Sequence, residues 1–451
     1  MPTTTLRSGA APRSAVPRRS VLTAGASVPL AAAGLAACTD GENPEPAEEP
    51  DLAAEVPRAE PGPIEGAGSL AVPFTARLLG AVNRSAVNVV CSPLSAQIAL
   101  TMAGLGAAGD TRAQMEDVLG GTVEDLAQHA NTLSAVLAGV GDEEREEPDE
   151  DAPEPPVASL VNGTWLQEGL EVEEAYLEGL ATFFGSGVRT IDFEDDAARE
   201  EGREAINTWV ADSTADLIEE LVPEGVLRAV TRLVLVNALH LKAAWPQELT
   251  PVDGTFTTAA GEEVAVPMLS GITHRWYEDE LCRATALNTY GDDLALAVVQ
   301  PAADVGTVLD AWAQSAEDPA AGLGALLAGL SATGSTTQLT LPGVDIGWNA
   351  ELNELLQGLG MTDAFTGEAD FSGITEQIDL VISSVLQKAV LTVDQEGMEA
   401  AAATAVAVNA VSGVIGEHEL VLDAPFLVVA FETSTLAPLV VGWVGDPTQT
   451  R

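Results

Sequence analysis

The spacing of hydrophobic residues changes between a helical and a strand period along the chain, and these changes predict its elements. Apolar residues recur at helical spacing from Thr111 to Leu119 and from Glu200 to Leu221, and Ser92-Pro93 begins an apolar helix that runs to Leu105. A continuous apolar run from Leu233 to Leu241 predicts a buried central strand. Further strands are predicted at Asp293–Val299, Gln338–Leu341, Val390–Val393 and Phe426–Phe431. Helices gather in the N-terminal half and strands in the C-terminal half, which predicts one α+β domain around a large sheet.

Two acidic, proline-rich stretches interrupt this pattern. Residues 38–67 have almost no aromatic side chain and cannot bury a core, so they predict a disordered acidic tether ahead of a folded domain at 68–451. A second acidic run at 141–156 contains Pro148, Pro153, Pro155 and Pro156. Prolines and like charges together favour an exposed loop, and we interpret this run as an insertion within the domain.

The first residues resemble an export signal. Arg18-Arg19-Ser20-Val21-Leu22 is a twin-arginine pattern, and the apolar stretch from Ala24 to Ala37 is short for a membrane span. Leu35-Ala36-Ala37-Cys38 resembles the lipobox of bacterial lipoproteins, in which the cysteine is acylated and becomes the new N-terminus. The alternative is an ordinary cleaved signal peptide with a chance cysteine. The spacing favours a twin-arginine lipoprotein signal peptide at 1–37 and an exported protein held at the cell surface by a lipid bilayer through acylated Cys38.

Composition narrows the classes of function. A hydrophobic content of 46% fits a folded body, and a formal net charge of −50 argues against binding of nucleic acid or a heparin-like polyanion. Apart from Cys38 the chain has Cys91, which lies in an apolar run and is expected to be buried, and Cys282, which lies in a predicted strand. A disulfide between them stays open. No metal-ligand spacing is present, so we expect neither a metal nor a cofactor. We also expect the protein to be a monomer.

Eight segments, in order along the chain, resemble those of the serpin family. They are NVVCSPLS (88–95), GLGAAGDT (104–111), SLVNGTW (159–165), INTWVADST (206–214), LVLVNALHLKAAW (233–245), LGMTDAF with ADFSGI (359–374), QKAVLTVDQEGMEAAAATA (387–405), and DAPFLVVAFETST with PLVVGWVGDP (423–447). The resemblance covers roughly residues 68 to 447. It implies the serpin fold, with a large mixed β-sheet, further sheets, about eight or nine helices, and an exposed reactive loop at about 397–420.

The resemblance also implies a function, the trapping of serine proteases by a suicide substrate. A protease cleaves the exposed loop and forms an acyl-enzyme, and the freed loop then inserts as a central strand of the large sheet and inactivates the attached protease. The chain meets the needs of such a strand, because no proline occurs from Gly397 to Leu420. If Met398 points inward, strand alternation also points inward the uncharged residues Ala400, Ala402, Thr404, Val406, Val408 and Ala410.

The resemblance assigns the hinge of the loop to Gly397, Met398, Glu399, Ala400, Ala401, Ala402 and Ala403. Gly397 is expected to act as a flexible pivot, and the small alanines offer little resistance to sliding between strands. Met398 departs from the family, in which Thr or Ser is usual at the first inserting position, and Gln395 stands where a glutamate is usual. Neither change introduces a buried charge, so we expect inhibition to survive, with a larger fraction of the loop simply cleaved.

The scissile bond falls at Val411-Ser412 when positions are counted from Gly397 as in the family, within a range from Ala410 to Ile415. No Lys or Arg occurs from Gly397 to Ala424, so a trypsin-like pocket finds no anchor. Val, Ala and Ile suit a small or mid-sized apolar pocket. The predicted partner is therefore an elastase-like or subtilisin-like serine protease.

The region where the large sheet opens is assigned by the same resemblance to Ser92, Ser95, Asn237, Trp245 and Gln387. Ser92, Ser95 and Asn237 are implied to form a buried polar cluster behind the sheet, which a histidine completes in many family members. Gln387 stands at the position of that histidine here. Its amide can both donate and accept hydrogen bonds, so a working cluster is expected.

Two alternative functions stay open. A serpin fold without inhibition, serving as a binding, chaperone or storage protein, is favoured by Met398 and opposed by the uncharged, proline-free strand. The second alternative, a solute-binding lipoprotein or an exported enzyme, is supported only by the N-terminal signal. The chain has four histidines and no GxSxG motif, so a Ser-His-Asp hydrolase lacks its signature and we expect no enzyme. His418, which follows the loop, is expected at the surface.

Overall fold

The computed structural model describes residues 50–141, 153, 155–216, 218–332, 334–398 and 416–451, and within them it has nine α-helices and sixteen strands. The helices are α1 (Ala71–Ala81), α2 (Pro93–Gly104), α3 (Gly109–Leu119), α4 (Val123–Ala138), α5 (Glu174–Phe184), α6 (Asp196–Ser213), α7 (Val305–Gln314), α8 (Gly322–Ser331) and α9 (Asn353–Leu359). The strands are β1 (Asn88–Cys91), β2 (Val157–Gln167), β3 (Val188–Ile191), β4 (Leu233–Ala244), β5 (Thr250–Thr257), β6 (Glu263–Thr273), β7 (Tyr277–Glu278), β8 (Cys282–Asn288), β9 (Leu294–Pro301), β10 (Thr337–Pro342), β11 (Val344–Glu351), β12 (Ser384–Val393), β13 (Gly397–Met398), β14 (His418–Val421), β15 (Phe426–Glu432) and β16 (Pro438–Val444).

These strands form three sheets. The main sheet has the order β11-β12-β13-β4-β2-β3, the inner sheet β1-β16-β15-β9-β8-β7, and the small sheet β14-β10-β6-β5. The main sheet is mixed, because β12 pairs with β4 and β2 pairs with β3 in parallel while its other pairs are antiparallel. The inner sheet packs behind it, with β1 against β11 and β12. The predicted fold class, an α+β fold around a large mixed sheet with further sheets, is confirmed.

The helices begin and end where their local chemistry requires, with one difference from the prediction. Helix α2 is capped by Ser92, whose side chain accepts a hydrogen bond from the Ser95 amide, and it is buried along its whole length, as predicted. Helix α6 ends at Ser213, so the prediction of a helix continuing to Leu221 was wrong. Ala215 and the next residue have positive φ values of 48° and 63°, which break the helix. The Thr214 hydroxyl then accepts a hydrogen bond from the Ile218 amide in a buried turn.

The centre of the main sheet is paired only in part. In the described part of the chain, β4 and β12 pair directly at Val234–Val236 with Ser384–Leu386, and β13 lies between them at the other end. On their outer sides the two strands are continuously paired, β4 with β2 and β12 with β11. We call the stretch between residues 237–242 of β4 and 387–392 of β12 the slot.

The segment ahead of α1 is folded onto the body. Leu52 forms an antiparallel bridge with Val188 of β3, and hydrogen bonds from the same segment reach α4 and α5. The prediction of a disordered tether over 38–67 was therefore wrong for residues 50 to 66. Because the composition of these residues cannot form a core of its own, they are ordered by contacts with the rest of the domain. Residues 38–49 lie outside the described residues, as do 142–152 of the predicted acidic insertion.

The two cysteines of the described body are free and buried. Burial raises the pKa of the Cys91 thiol to about 12, which fits the predicted role as a small buried hydrophobe. Among the described residues, no helix has the length and apolar character to cross a bilayer. The same residues contain no cluster of His, Cys, Asp or Glu that could hold a metal ion.

Candidate functional site

The hinge begins with a tight turn organised by Asp394. The Asp394 carboxylate accepts hydrogen bonds from the amides of Glu396 at 2.8 Å and Gly397 at 2.9 Å. The Asp394 amide in turn donates to the carbonyl of Gly397 at 3.0 Å. These bonds reverse the chain at the end of β12 and direct it back into the main sheet as β13. Asp394 was not singled out from the sequence, although an aspartate three residues before a glycine is a common turn signal.

Strand β13 lies between β12 and β4. Gly397 and Met398 pair with Ala244 and Ala243 of β4, and Met398 pairs with Val393 of β12. A Cβ atom at Gly397 would lie 2.4 Å from the carbonyl oxygen of Ala243, so only glycine allows this close approach. The predicted hinge glycine thus has a steric role in the intact protein, beside the flexible pivot that was expected of it.

Met398 fills the hinge end of the slot. Its side chain is 1% exposed and belongs to the same hydrophobic core as Leu241 and Val393. A small cavity of about 20 Å³ adjoins Met398 and is lined by Leu239, Leu241, Val390, Leu391, Thr392 and Val440. Met398 points inward, as was assumed when the alternating faces of the loop were assigned from the sequence. Next to Met398 the surface beneath the slot is largely apolar, so a side chain that inserts there must be uncharged.

Trp245, directly after β4, holds the hinge turn from the opposite side. Its backbone amide donates to the carbonyl of Glu396 at 2.8 Å, and its indole Nε1 donates to the carbonyl of Asp394 at 3.1 Å. The Leu249 amide adds a bond to the carbonyl of Gln395 at 2.7 Å. These three hydrogen bonds fix the turn to the β4 side of the slot. All three acceptors are backbone carbonyls, so the bonds do not depend on the side chains of the loop.

A buried polar cluster joins the middle of β12 to the inner sheet. The Gln387 amide group, on a side chain 3% exposed, donates to the carbonyl of Ser92 at 2.6 Å and accepts from the Ser92 amide at 3.3 Å. The Ser92 hydroxyl donates to Leu439 of β16 at 2.6 Å and lies 2.8 Å from the Ser95 hydroxyl. Gln387 thus satisfies both backbone groups of Ser92, with the donor and acceptor roles expected of the amide.

The chain leaves the loop region in a different sheet from the one in which it enters. After residues 399–415, β14 pairs in parallel with β10 of the small sheet. The His418 ring stacks on the Trp276 ring, with centroids 4.2 Å apart and planes 2° from parallel. The sequence predicted only a surface position for His418, because the stacking partner lies far away in the sequence.

Glu399 and the four hinge alanines (Ala400, Ala401, Ala402, Ala403), the reactive bond Val411-Ser412, and Cys38 lie outside the described residues. The backbone of Asn237 lies in β4, opposite Asn162 of β2.

Comparison with known proteins agrees with this arrangement. A family model described as serpin (serine protease inhibitor) matches residues 70–447. Serpin-Z2A of Oryza sativa subsp. japonica is 30% identical over 431 residues, which are 86% of this chain and 98% of that protein. A protein of Sus scrofa named leukocyte elastase inhibitor is 29% identical over 396 residues, 83% of this chain and 97% of its own.

Solved structures show the same fold. The thermophilic serpin tengpin in its native state superposes with a TM-score of 0.72 at 23% identity, covering 86% of this chain and 97% of that one. Arabidopsis AtSerpin1, in a native stressed conformation, gives a TM-score of 0.71 at 23% identity, covering 86% of this chain and 100% of its own. Since the family match spans the domain that contains the hinge, the slot and the polar cluster, this chain belongs to the serpin family.

Proposed function

We propose that this serpin inhibits serine proteases by trapping them as acyl-enzymes while its cleaved loop inserts into the main sheet. The observation that carries the proposal is the position of β13, because the first two hinge residues already pair with both walls of the slot. Insertion of the cleaved loop would extend the existing pairing of β13, so the first strand contacts need not form anew. Each residue that enters gains backbone hydrogen bonds and displaces none from the outer pairs of β4 and β12.

The apolar lining of the slot supports the proposed insertion strand. Leu239, Leu241 and Leu391 form the surface over which inward-facing loop residues would pass. Alternation from Met398 makes these residues alanine, threonine and valine, which are small and uncharged. The only charged residue of the hinge, Glu399, takes the opposite face. Cleavage therefore releases a strand whose chemistry matches the surface that receives it.

We propose an elastase-like or subtilisin-like protease as the target. The proposal rests on the loop sequence around Val411, which lacks basic residues, and is supported by a relative named leukocyte elastase inhibitor. Mixing the full protein with such proteases should give a complex that survives denaturing electrophoresis, and mass spectrometry should place the new C-terminus between Ala410 and Ile415. Clean cleavage without a complex, across a broad panel of serine proteases, would instead support a non-inhibitory serpin.

That second candidate function is favoured by Met398. A methionine in the core is larger than the Thr or Ser usual at this position, and it must stay in place while the next residues enter. We expect this to slow the first step of insertion, so that part of the inhibitor is released as cleaved substrate. The ratio of inhibitor consumed to protease inactivated should fall when Met398 is replaced by Thr, and an unchanged ratio would remove the basis for this effect.

We further propose that the protein is a bacterial lipoprotein, exported by the twin-arginine route and anchored through acylated Cys38. Support comes from the lipobox-like Leu35-Ala36-Ala37-Cys38. Cys38→Ala should release the protein from membranes into the soluble fraction. Equal detergent partitioning of both forms would contradict the anchor.

A further inference from the structure

The edge of the main sheet at β3 is closed by the segment from Pro50 to Gly62, which we call the strap. Leu52 exchanges two backbone hydrogen bonds with Val188, at 3.0 and 2.8 Å. The Asp51 carboxylate accepts from the Thr190 amide at 2.6 Å and from its hydroxyl at 3.0 Å. The outward amides of β3 at Val188 and Thr190 are therefore satisfied by the strap. A Cβ atom at Gly187 would lie 2.3 Å from the Leu52 carbonyl, so this glycine makes room for it.

The strap then crosses α5 and α4, where it satisfies buried polar groups. The Ala59 amide donates to the carbonyl of Thr182 in α5 at 2.7 Å. Asn131 of α4 is 1% exposed, and its side-chain amide accepts from Arg58 Nε at 2.7 Å and donates to the carbonyl of Ala59 at 2.9 Å. The hydroxyl of Thr132, the next residue, accepts from the Gly62 amide at 2.8 Å. Without the strap these buried groups lose their partners.

The other end of the segment is fixed on the inner sheet. A Cβ atom at Gly68 would lie 2.5 Å from the Thr435 carbonyl and from the Ala437 amide, in the connection between β15 and β16. The Ala67 carbonyl lies 3.0 Å from Nδ1 of His129 in α4. Immediately afterwards the chain enters α1, which packs against β16 and α7. The strap and this anchor are thus continuous along the backbone.

The two ends of the segment lie on opposite sides of the slot. Strand β3 is joined through β2 to β4, whereas the inner sheet packs through β1 against β11 and β12. Opening the slot moves β3 away from the inner sheet, and the segment between Leu52 and Gly68 must lengthen or detach. We infer that the strap is a brace that holds the main sheet closed in the intact protein and opposes loop insertion. The inference rests on the proposed trapping function.

The test compares the thermal midpoint of the intact protein with that of the protein cleaved in its loop, in the full chain. Two variants weaken the brace: Asp51→Ala combined with Arg58→Ala, which removes side-chain bonds of the strap, and Gly187→Val, which displaces it from the β3 side. Glu55→Ala on the exposed face of the strap and Gly358→Ala, where an added Cβ meets open space, are the matched controls. Amide exchange at Val188 and Thr190 reports whether the strap has detached.

In both brace variants we expect the intact midpoint to fall by about 2–4 °C or more, the cleaved midpoint to stay unchanged, and exchange at Val188 and Thr190 to rise at least about tenfold. Glu55→Ala should match the parent protein, and Gly358→Ala, which lies inside α9, should be at least as stable as the parent because alanine favours the helix. Equal losses in the intact and cleaved forms would show a surface contact without a bracing role, and unchanged midpoints despite faster exchange would overturn the inference as well. If cleavage of the parent protein itself raises no midpoint, the trapping function fails and the brace fails with it.

Discussion

The inner sheet and the main sheet differ in what holds their central strands together. In the inner sheet β15 and β16 are buried at every position, and β15 is paired along its length with β9 on one side and β16 on the other. In the main sheet β4 and β12 pair directly over three positions and are otherwise joined at the hinge. The inner sheet is stabilised by apolar burial, and its central strand β15 is paired on both sides. The seam of the main sheet depends on a few specific contacts, with direct strand pairing at one end and β13 at the other.

Under the proposed insertion of the loop, this difference gives the two sheets separate tasks. Polar groups at the seam, such as Gln387 and the carbonyls bound by Trp245, can be broken and remade because each contributes only about 1–3 kcal/mol. The apolar inner sheet provides a fixed body against which the main sheet can move. Substitutions in the inner sheet should therefore change stability alone, and substitutions along the slot should change inhibition.

The largest effect on inhibition is expected for Ala402→Arg. Alternation from the buried Met398 places residue 402 over the apolar floor of the slot, where an unpaired charge costs several kcal/mol. Insertion then becomes slower than deacylation, and the number of inhibitor molecules consumed per protease should rise steeply. Ala401→Arg is the matched control and should raise that number modestly. Equal effects at both positions would mean that the inserted strand uses the other alternation.

A core substitution in the inner sheet should separate stability from inhibition. Phe431 of β15 is fully buried, and Phe431→Ala should lower the free energy of unfolding by about 3–5 kcal/mol. The inhibitor-to-protease ratio measured well below the midpoint should stay at the parent value. Phe431→Leu, with a smaller loss of stability, guards against a variant that does not fold. A ratio that rises in both variants would show that the inner sheet takes part in insertion.

The polar cluster should give an intermediate effect. Gln387→Leu leaves the buried Ser92 amide without its partner, at a cost of about 1–3 kcal/mol, whereas the Ser92 carbonyl still accepts from the Ala96 amide at 3.2 Å. Gln387→His can restore a donor and an acceptor and should recover most of the loss. Denaturant unfolding of the intact protein measures both. A leucine variant as stable as the parent would show that the polar cluster does not stabilise the seam.

Trp245→Phe should have the smallest effect. It deletes the indole hydrogen bond to the Asp394 carbonyl, which is worth about 1 kcal/mol, while the backbone bond from residue 245 to Glu396 remains. The hinge turn is then held less firmly, and amide exchange at Glu396 and Gly397 should increase. Unchanged exchange there would show that the Asp394 carboxylate and the backbone bonds from residues 245 and 249 maintain the turn without the indole.

Local signals in the sequence predicted the fold. The prediction failed where contacts between residues far apart in the chain determine the structure. The strand at Phe426–Phe431 and the helix capped by Ser92 follow from residue spacing and were found in place. The strap was missed because its composition resembles disorder, while its partners Asn131 and Thr190 lie far away in the chain. The helix predicted to reach Leu221 ends early for a related reason, since the amides of Leu221 and Val222 donate to the Asn207 side chain, 14 and 15 residues away in the chain.

The candidate site divides in the same way. Gly397, Met398 and Gln387 were predicted from a family resemblance and lie at the slot. Asp394, which shapes the turn before them, carries a weak local signal and was overlooked. The stacking of His418 on Trp276 depends on the parallel pairing of β14 with β10, which no local pattern predicts.

Insertion of the loop into the main sheet can be tested without any target protease. A metalloprotease that cuts at apolar residues cleaves the loop but forms no acyl-enzyme, so the product is cleaved inhibitor free of trapped enzyme. Thermal unfolding of the intact and cleaved forms should then differ strongly, with the cleaved form far more resistant because a new central strand fills the slot. Identical midpoints for the two forms would mean that the loop does not insert and that this serpin does not trap proteases.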